Sequence, residues 1–190
     1  MSTAYPPTLA PGIAPPRRLK LGDLVVRGWE TGDITAQLEA INASFDHLHP
    51  WMPWLPAPRT ADEQRAANEA ATAGWPPTEG DFHFGVFDTA GPLLGGVGLH
   101  DRVGPGVLEI GYWCHAAHTG RGIITRSVAA LTDAALRLPG VEYVQIRCDA
   151  ANVPSAAVPR RLGYRLTGME QRERCAPAQT GRGMVWTKGR

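Results

Sequence analysis

The chain has 190 residues and a formal net charge of +1, with 43% hydrophobic and 19% charged residues. This composition is typical of one globular domain and excludes a disordered chain. The near-neutral charge gives no reason to expect nucleic acid as a partner, and no apolar run approaches the roughly 20 residues of a membrane helix. Cys114, Cys148 and Cys175 are too widely spaced for a disulfide framework or a zinc site, so we expect free thiols in a cytoplasmic protein.

Residues 1–17 are rich in proline and alanine, so they are predicted to form a flexible tail that is ordered only where it crosses the folded body. Residues 18–190 are predicted to form one mixed α/β domain, with a mostly antiparallel sheet of about seven strands flanked by about four helices. The predicted strands are residues 19–29, 82–87, 92–100, 107–115, 141–149, 164–169 and 183–188, and the predicted helices are residues 33–45, 60–72, 122–138 and 153–162.

An aromatic loop over residues 47–56 separates the first two predicted helices. Proline recurs there at every third position, which excludes a regular helix or a central strand. The loop carries Trp51 and Trp54. Aromatic residues in loops either fill the gap between helices and sheet or line a ligand site, and we expect these two to do both.

The connection 119–125 joins a predicted strand to a predicted helix and contains Gly120 and Gly122. Two glycines allow positive φ angles, so that successive N–H groups point into one concavity at the positive end of the helix. This arrangement is typical of a phosphate cradle, to which Arg121 and Arg126 could add charge. Many such turns are only short connections, and the pattern matches neither a P-loop nor a Rossmann fingerprint.

Five stretches of the sequence together resemble the GNAT superfamily of N-acetyltransferases, in particular its RimJ/RimL-type branch, which acetylates the N-termini of ribosomal proteins. The resemblance extends over about residues 19–188, and it implies the GNAT fold with acetyl-CoA or CoA as cosubstrate and no metal. The stretches are residues 19–30, 48–54, 109–124, 152–155 and 161–164.

The resemblance also implies where the cosubstrate binds. The pyrophosphate would lie on the backbone amides of the glycine loop, the pantetheine arm would run beside the preceding strand where two strands splay, and Asn152 would hold that arm. Thr119 and Ile124 depart from the family pattern, since Thr119 lacks a long polar side chain and Ile124 adds bulk near the pyrophosphate. The implied cofactor-binding residues are Trp113, Cys114, His115, Thr119, Gly120, Arg121, Gly122, Ile123, Ile124, Thr125, Asn152 and Ser155.

Direct attack of an amine on a thioester needs a group that removes the amine proton and a group that protonates the leaving thiolate. The resemblance places Glu109 at the position of a general base and Ser155 at the position facing the sulfur. A structural hydrogen-bond role for Glu109 and an ordinary helix-start role for Ser155 are the alternatives. We expect the acceptor to be bound by Trp51, Trp54, His100 and Glu109.

The sequence therefore predicts an N-acetyltransferase that moves an acetyl group from acetyl-CoA to a primary amine. The acceptor would be a protein N-terminus or a small amine, without nucleic acid or membrane as a partner, and a homodimer is a further possibility. Two alternatives stay open: the same chemistry with a longer acyl donor such as succinyl-CoA, and a catalytically silent module that binds CoA.

Overall fold

The computed structural model describes residues 6–75 and 81–190. The strands are β1 (Arg18–Leu21), β2 (Leu24–Gly28), β3 (Asp81–Asp88), β4 (Leu93–Gly104), β5 (Val107–Cys114), β6 (Tyr143–Asp149), β7 (Arg165–Gln171) and β8 (Arg182–Gly189). The helices are α1 (Ile34–Ala43), α2 (Phe45–Leu48), α3 (Ala61–Thr72), α4 (Ile123–Leu136) and α5 (Val153–Arg161). The strands form one sheet in the order β1-β2-β3-β4-β5-β6-β8-β7, and only β5 and β6 pair in parallel within the described residues.

The predicted mixed α/β domain is confirmed, with eight strands and five helices. The extra strand arises because residues 19–29 form a hairpin rather than one strand. Gly22 has a φ of +69° at the turn, and Leu21 pairs with Leu24 across it. The extra helix is α2, a single turn that includes two residues of the predicted aromatic loop. It forms because the first proline of that loop is Pro50, beyond the end of the helix.

Strand β4 is longer than the predicted strand 92–100, which places His100 inside the strand rather than at a solvated end. Its pairing with β5 continues past an irregularity to Gly104, opposite Val107. His100 is 9% exposed. Asp101 is also buried, and its carboxylate accepts a hydrogen bond from the backbone amide of Leu9 at 2.9 Å.

Part of the predicted flexible tail packs on the domain. Leu9 lies in the main hydrophobic cluster, and the Thr8 hydroxyl donates to the carbonyl of Gly104 at 3.0 Å. The carbonyl of Arg17 accepts from the amide of Gly28 at 2.9 Å. The segment 8–17 therefore crosses the folded body over most of its length, and residues 1–5 of the predicted tail lie outside the described residues.

The sheet has two different faces, which we name after the helices that cover them. The α4 face carries Leu108 and Ile110 of β5, and with α4 and α5 it forms the main core. Burial of this apolar surface is the largest stabilising contribution in such a domain. The α1 face carries Glu109, Gly111 and Trp113. It packs against α1 and α3 through a smaller apolar cluster and is strongly polar elsewhere.

Candidate active site

Strands β5 and β6 separate after a short stretch of pairing. They are hydrogen-bonded only where Val107–Glu109 runs beside Tyr143–Gln145. Beyond that point β5 stays paired with β4, and β6 stays paired with β8. Residues 110–114 and 146–149 therefore face each other across an opening, which we call the strand cleft. Unpaired backbone groups along such an edge require other hydrogen-bond partners, and a bound ligand can supply them.

The loop 119–125 lies at the end of β5 and leads into α4. Gly120 and Gly122 have φ angles of +75° and +70°, as the sequence predicts. Among the described residues, no backbone amide from Thr119 to Thr125 has a hydrogen-bond acceptor. Apart from each glycine and its two chain neighbours, no described heavy atom lies within 4 Å of the position that a Cβ would take there. The loop thus presents a set of unbonded amides to open space at a helix N-terminus, which is the arrangement that binds phosphate.

The two departures from the family pattern leave this arrangement intact. Ile124 is 8% exposed and belongs to the main core, where its Cδ1 atom packs against the backbone at Gly95. Its side chain therefore points into the protein, away from the open side of the loop. The Thr119 hydroxyl donates to the carbonyl of Ala116 at 3.2 Å and closes the turn before the loop.

The charged side chains near the loop are held by neighbours. An Arg121 guanidinium nitrogen lies 3.0 Å from Nδ1 of His118, and Arg126 donates to the carboxylate of Asp23 at 2.5 Å. Arg126 thus contacts the turn between β1 and β2 instead of lining the loop. Nδ1 of His115 accepts from the amide of Ala117 at 3.1 Å. Burial and the neighbouring His118 lower the pKa of His115, so its imidazole is neutral at pH 7.

On the other side of the strand cleft, the start of α5 contacts β5. Oδ1 of Asn152 accepts from the amide of Ser155 at 3.2 Å and caps the helix. The Ser155 hydroxyl donates to the Tyr112 hydroxyl at 3.2 Å, which in turn donates to the Ser155 carbonyl at 2.8 Å. Burial raises the pKa of Tyr112 above its usual range, so this phenol stays protonated at neutral pH. Tyr112 was not among the predicted site residues, although the alternation of side chains along β5 puts it on the same face as Leu108 and Ile110.

Cys114 and Cys148 are the two cysteines near the strand cleft, and neither is a reactive thiol. Burial raises the pKa of the Cys114 thiol, which lies 3.8 Å from the carbonyl of Leu94. Burial also raises the pKa of Cys148, although the nearby Ser155 hydroxyl and Trp186 indole N–H partly oppose it. Both thiols are therefore poor nucleophiles at neutral pH.

Glu109 is buried on the α1 face and its carboxylate is engaged by arginine. It accepts a hydrogen bond from Arg102 at 2.7 Å, and Arg147 lies 3.8 Å away. Burial alone would lower the pKa of Arg102, but the hydrogen bond to Glu109 raises it. Arg147 in turn lies 3.9 Å from Glu170, so positive and negative side chains alternate across the sheet from Arg102 to Glu170. Sequence analysis missed both arginines, because each reaches Glu109 from a neighbouring strand.

His100 and Glu109 are register partners on adjacent strands, so two of the predicted acceptor-binding residues do meet. Nδ1 of His100 lies 2.9 Å from Oδ1 of Asp81, its register partner on β3. The ring of His83 lies 5.4 Å from the His100 ring, and ligand atoms of Asp81, His83 and His100 fall within 4.8 Å of one another. The hydrogen bond between Asp81 and His100 accounts for this grouping without an ion. Sequence analysis singled out neither Asp81 nor His83.

The aromatic loop lies against the connection between β7 and β8. Gln179 donates to the carbonyl of Trp51 at 3.2 Å, and the amide of Ala178 donates to the carbonyl of Pro50 at 2.9 Å. Trp54 is 40% exposed, and the guanidinium of Arg59 lies 5.2 Å from its ring. The two predicted tryptophans therefore differ, since the Trp51 backbone joins two loops and the Trp54 ring lies at the surface beside Arg59.

A splayed parallel strand pair with a glycine loop at the start of the next helix defines an acetyltransferase fold. The family model described as "Acetyltransferase (GNAT) domain" matches residues 23–165. The chain belongs to this family, and the acyl-CoA-dependent acetyltransferase class predicted from sequence is confirmed. Among the described residues, no helix is both long enough and apolar enough to span a membrane.

Individual relatives agree with this assignment. The chain is 30% identical over 148 residues to the Bacillus subtilis (strain 168) protein named "Putative ribosomal N-acetyltransferase YdaF", which covers 74% of this chain and 77% of that protein. The structure of RimL, a ribosomal L7/L12 α-N-protein acetyltransferase in complex with CoA, has a TM-score of 0.78 at 19% identity, covering 89% of this chain and 95% of that one. The microcin C7 self-immunity acetyltransferase MccE, in complex with acetyl-CoA and AMP, has a TM-score of 0.81 at 17% identity, covering 92% and 97%.

Proposed function

We propose that the protein transfers the acetyl group of acetyl-CoA to a primary amine by direct attack in a ternary complex. The observation that carries the proposal is the strand cleft, which ends at the unbonded amides of residues 119–125. In this proposal the pyrophosphate accepts hydrogen bonds from those amides. The pantetheine arm pairs with the free edge of β5 at Trp113, Cys114 and His115. Two relatives of the same fold have been solved with CoA or acetyl-CoA, which supports this cosubstrate.

Asn152 and Ser155 complete the proposed cofactor site from the start of α5. Oδ1 of Asn152 is used by the helix cap, whereas its Nδ2 atom has no acceptor among the described residues. We propose that this nitrogen donates to an amide carbonyl of pantetheine. The Ser155 hydroxyl then protonates the departing thiolate. The Tyr112 phenol accepts the hydrogen bond of the Ser155 hydroxyl and donates to the Ser155 carbonyl, which supports this role because it fixes the position of that hydroxyl.

The α1 face forms the acceptor side of this proposal. Two roles for Glu109 follow from its position, removal of the amine proton and binding of the acceptor, and we retain both as proposals. Binding has the stronger support, because Arg102 already occupies one oxygen of the carboxylate. His100, Trp51 and Trp54 are proposed to contact the acceptor.

A protein N-terminus is the proposed acceptor class. The names of YdaF and RimL both refer to ribosomal acetylation, and the RimL title specifies an α-N-protein acceptor. We place the reaction in the cytoplasm, where ribosomal proteins are made. The three free cysteines suit such a reducing compartment.

The test is a measurement of thiol release from acetyl-CoA with three acceptors: a peptide with a free α-amino group, the same peptide acetylated at that group but containing lysine, and a small primary amine. We expect turnover on the first acceptor and a loss of at least about tenfold in kcat for Ser155→Ala. Succinyl-CoA in place of acetyl-CoA tests the longer donor. CoA binding without turnover on any acceptor would show a silent CoA-binding module and overturn the proposal.

A further inference from the structure

His100 is held in an orientation that leaves one of its ring nitrogens available. Nδ1 lies 2.9 Å from the Asp81 carboxylate, which can only accept, so Nδ1 carries the ring proton. Burial alone would raise the pKa of Asp81, but the hydrogen bond from His100 and nearby positive charge lower it, so the carboxylate is ionised. In the tautomer with the proton on Nδ1, Nε2 carries the lone pair. Among the described residues it has no hydrogen-bond donor.

Two glycines let the imidazole lie flat against the sheet. Gly98 and Gly111 are register partners on the α1 face. A Cβ at Gly98 would lie 2.6 Å from Nε2 of His100, and a Cβ at Gly111 would lie 3.4 Å from it. Any residue with a side chain at position 98 would therefore displace the ring. Both strands lack a side chain at the place where Nε2 lies.

The position of Nε2 coincides with the start of the strand cleft. Gly111 is two residues beyond Glu109, the last residue of β5 that pairs with β6. The next residue, Tyr112, points to the opposite face and contacts Ser155. A thioester at this point of the cleft would thus have Nε2 on one side of the sheet and the proposed proton donor on the other.

We propose that Nε2 of His100 accepts the proton of the attacking amine and that Asp81 is its positioning residue. This inference rests on the proposed function. The amine nitrogen forms the new N–C bond to the thioester carbonyl carbon, and the C–S bond breaks. The amine proton goes to Nε2 and the thiolate takes a proton from Ser155. The imidazolium later releases its proton to solvent, and Ser155 regains one from solvent, so the enzyme returns to its starting state. The reaction yields an N-acetyl amine and CoA, without a change of oxidation state.

The alternative proton acceptor is Glu109, which lies directly opposite His100. The two differ in their partners, since Glu109 is hydrogen-bonded to a guanidinium and Nε2 of His100 has no such donor. An amine that approaches Nε2 therefore displaces no hydrogen-bond partner, whereas one that approaches Oε1 of Glu109 would displace Arg102.

The experiment measures steady-state thiol release for His100→Gln, Asp81→Asn and Glu109→Gln, with the amine on which the wild-type protein turns over. His47→Gln, on the exposed surface, is the control. We expect His100→Gln to lower kcat about 100-fold with little change in KM for acetyl-CoA, because the ring lies on the face opposite α4. Asp81→Asn should lose about tenfold. Imidazole added to His100→Ala should restore part of the rate, which a purely structural histidine would not allow.

The pH profile separates the candidates further. The titratable and charged groups around His100 are Asp81 and His83 on β3, Arg102 on β4 and Glu109 on β5. We expect the acidic limb of kcat, which reports groups of the bound complex, to disappear in His100→Gln and to persist in Glu109→Gln. A wild-type rate with His100→Gln and a lost limb with Glu109→Gln would overturn the inference. So would activity that is lost in EDTA and restored by Zn²⁺, since the cluster would then hold a metal. Failure of the wild-type protein to turn over any amine would instead count against the proposed function.

Discussion

The two sides of the strand cleft are built from different parts of the chain. On the proposed cofactor side, the loop 119–125 offers backbone amides, and the side chains of Ile124, Arg121 and Thr119 point into the core or are held by neighbours. On the proposed acceptor side, the α1 face offers buried and paired side chains, with Glu109 and His100 as examples. Most substitutions leave backbone N–H donors in place, whereas a substitution at a paired side chain removes its hydrogen bond or ion pair. This explains how Thr119 and Ile124 can depart from the family pattern while the cradle keeps its geometry.

The largest effect that tests this contrast is a loss of stability, which we expect for Ile124→Ala. Because Ile124 is 8% exposed and packs in the main core, its truncation should lower the free energy of unfolding by about 2–4 kcal/mol. The affinity for CoA should change by less than about twofold, since the amides remain in place. Urea denaturation and titration calorimetry with CoA measure the two quantities.

Leu131→Ala is the matched control for this prediction, because Leu131 is fully buried in the same helix and lies away from the loop. Both variants should lose stability and both should bind CoA. A tenfold loss of CoA affinity for Ile124→Ala alone would show that this side chain, and not only the backbone, shapes the cofactor side.

A smaller but more specific effect is expected for Gly122→Ala. A residue with a Cβ at a φ of +70° is strained by about 1 kcal/mol, and relief of that strain would turn the amides of the cradle away from one another. We expect the Kd for CoA to rise about tenfold. Gly163→Ala introduces a comparable strain at a φ of +74°, also in open space. It should lose similar stability and keep its CoA affinity, and equal binding losses in both variants would contradict the backbone model.

The contrast between the two sides also explains what could be predicted from the sequence. The loop was predictable, because Gly120, Gly122 and the helix start are local features whose geometry depends on a few neighbouring residues. The cap at Asn152 is local in the same sense, and so is the capping box that begins α3 at Thr60. None of these required knowledge of which strands are adjacent.

The acceptor side was only partly predictable, because its pairs join different strands. Glu109 was predicted, but Arg102 reaches it across an irregularity in the β4–β5 register, and Arg147 comes from the parallel neighbour beyond α4. Asp81 was missed for a simpler reason, since the predicted strand began one residue later, at Phe82. Even with Asp81 in the predicted strand, its pairing with His100 would not follow, because that pairing depends on the exact register between β3 and β4.

The smallest effect concerns the pH dependence of stability on the acceptor side. Burial, followed by the charge of His100, lowers the pKa of His83 below its ordinary value of 6.5. The folded chain therefore binds fewer protons at this site than the unfolded chain, so His83 contributes stability above pH 6.5 that is lost as the pH falls through its lowered pKa. Urea midpoints at pH 7.5 and 5.5 should differ more for the wild-type protein than for His83→Gln. His47→Gln, at the exposed surface, should keep the wild-type difference, while CoA affinity should be the same in all three proteins because the cradle is made of amides. An unchanged pH difference in His83→Gln would show that the acceptor side is open enough to water for its histidines to titrate as free imidazoles do.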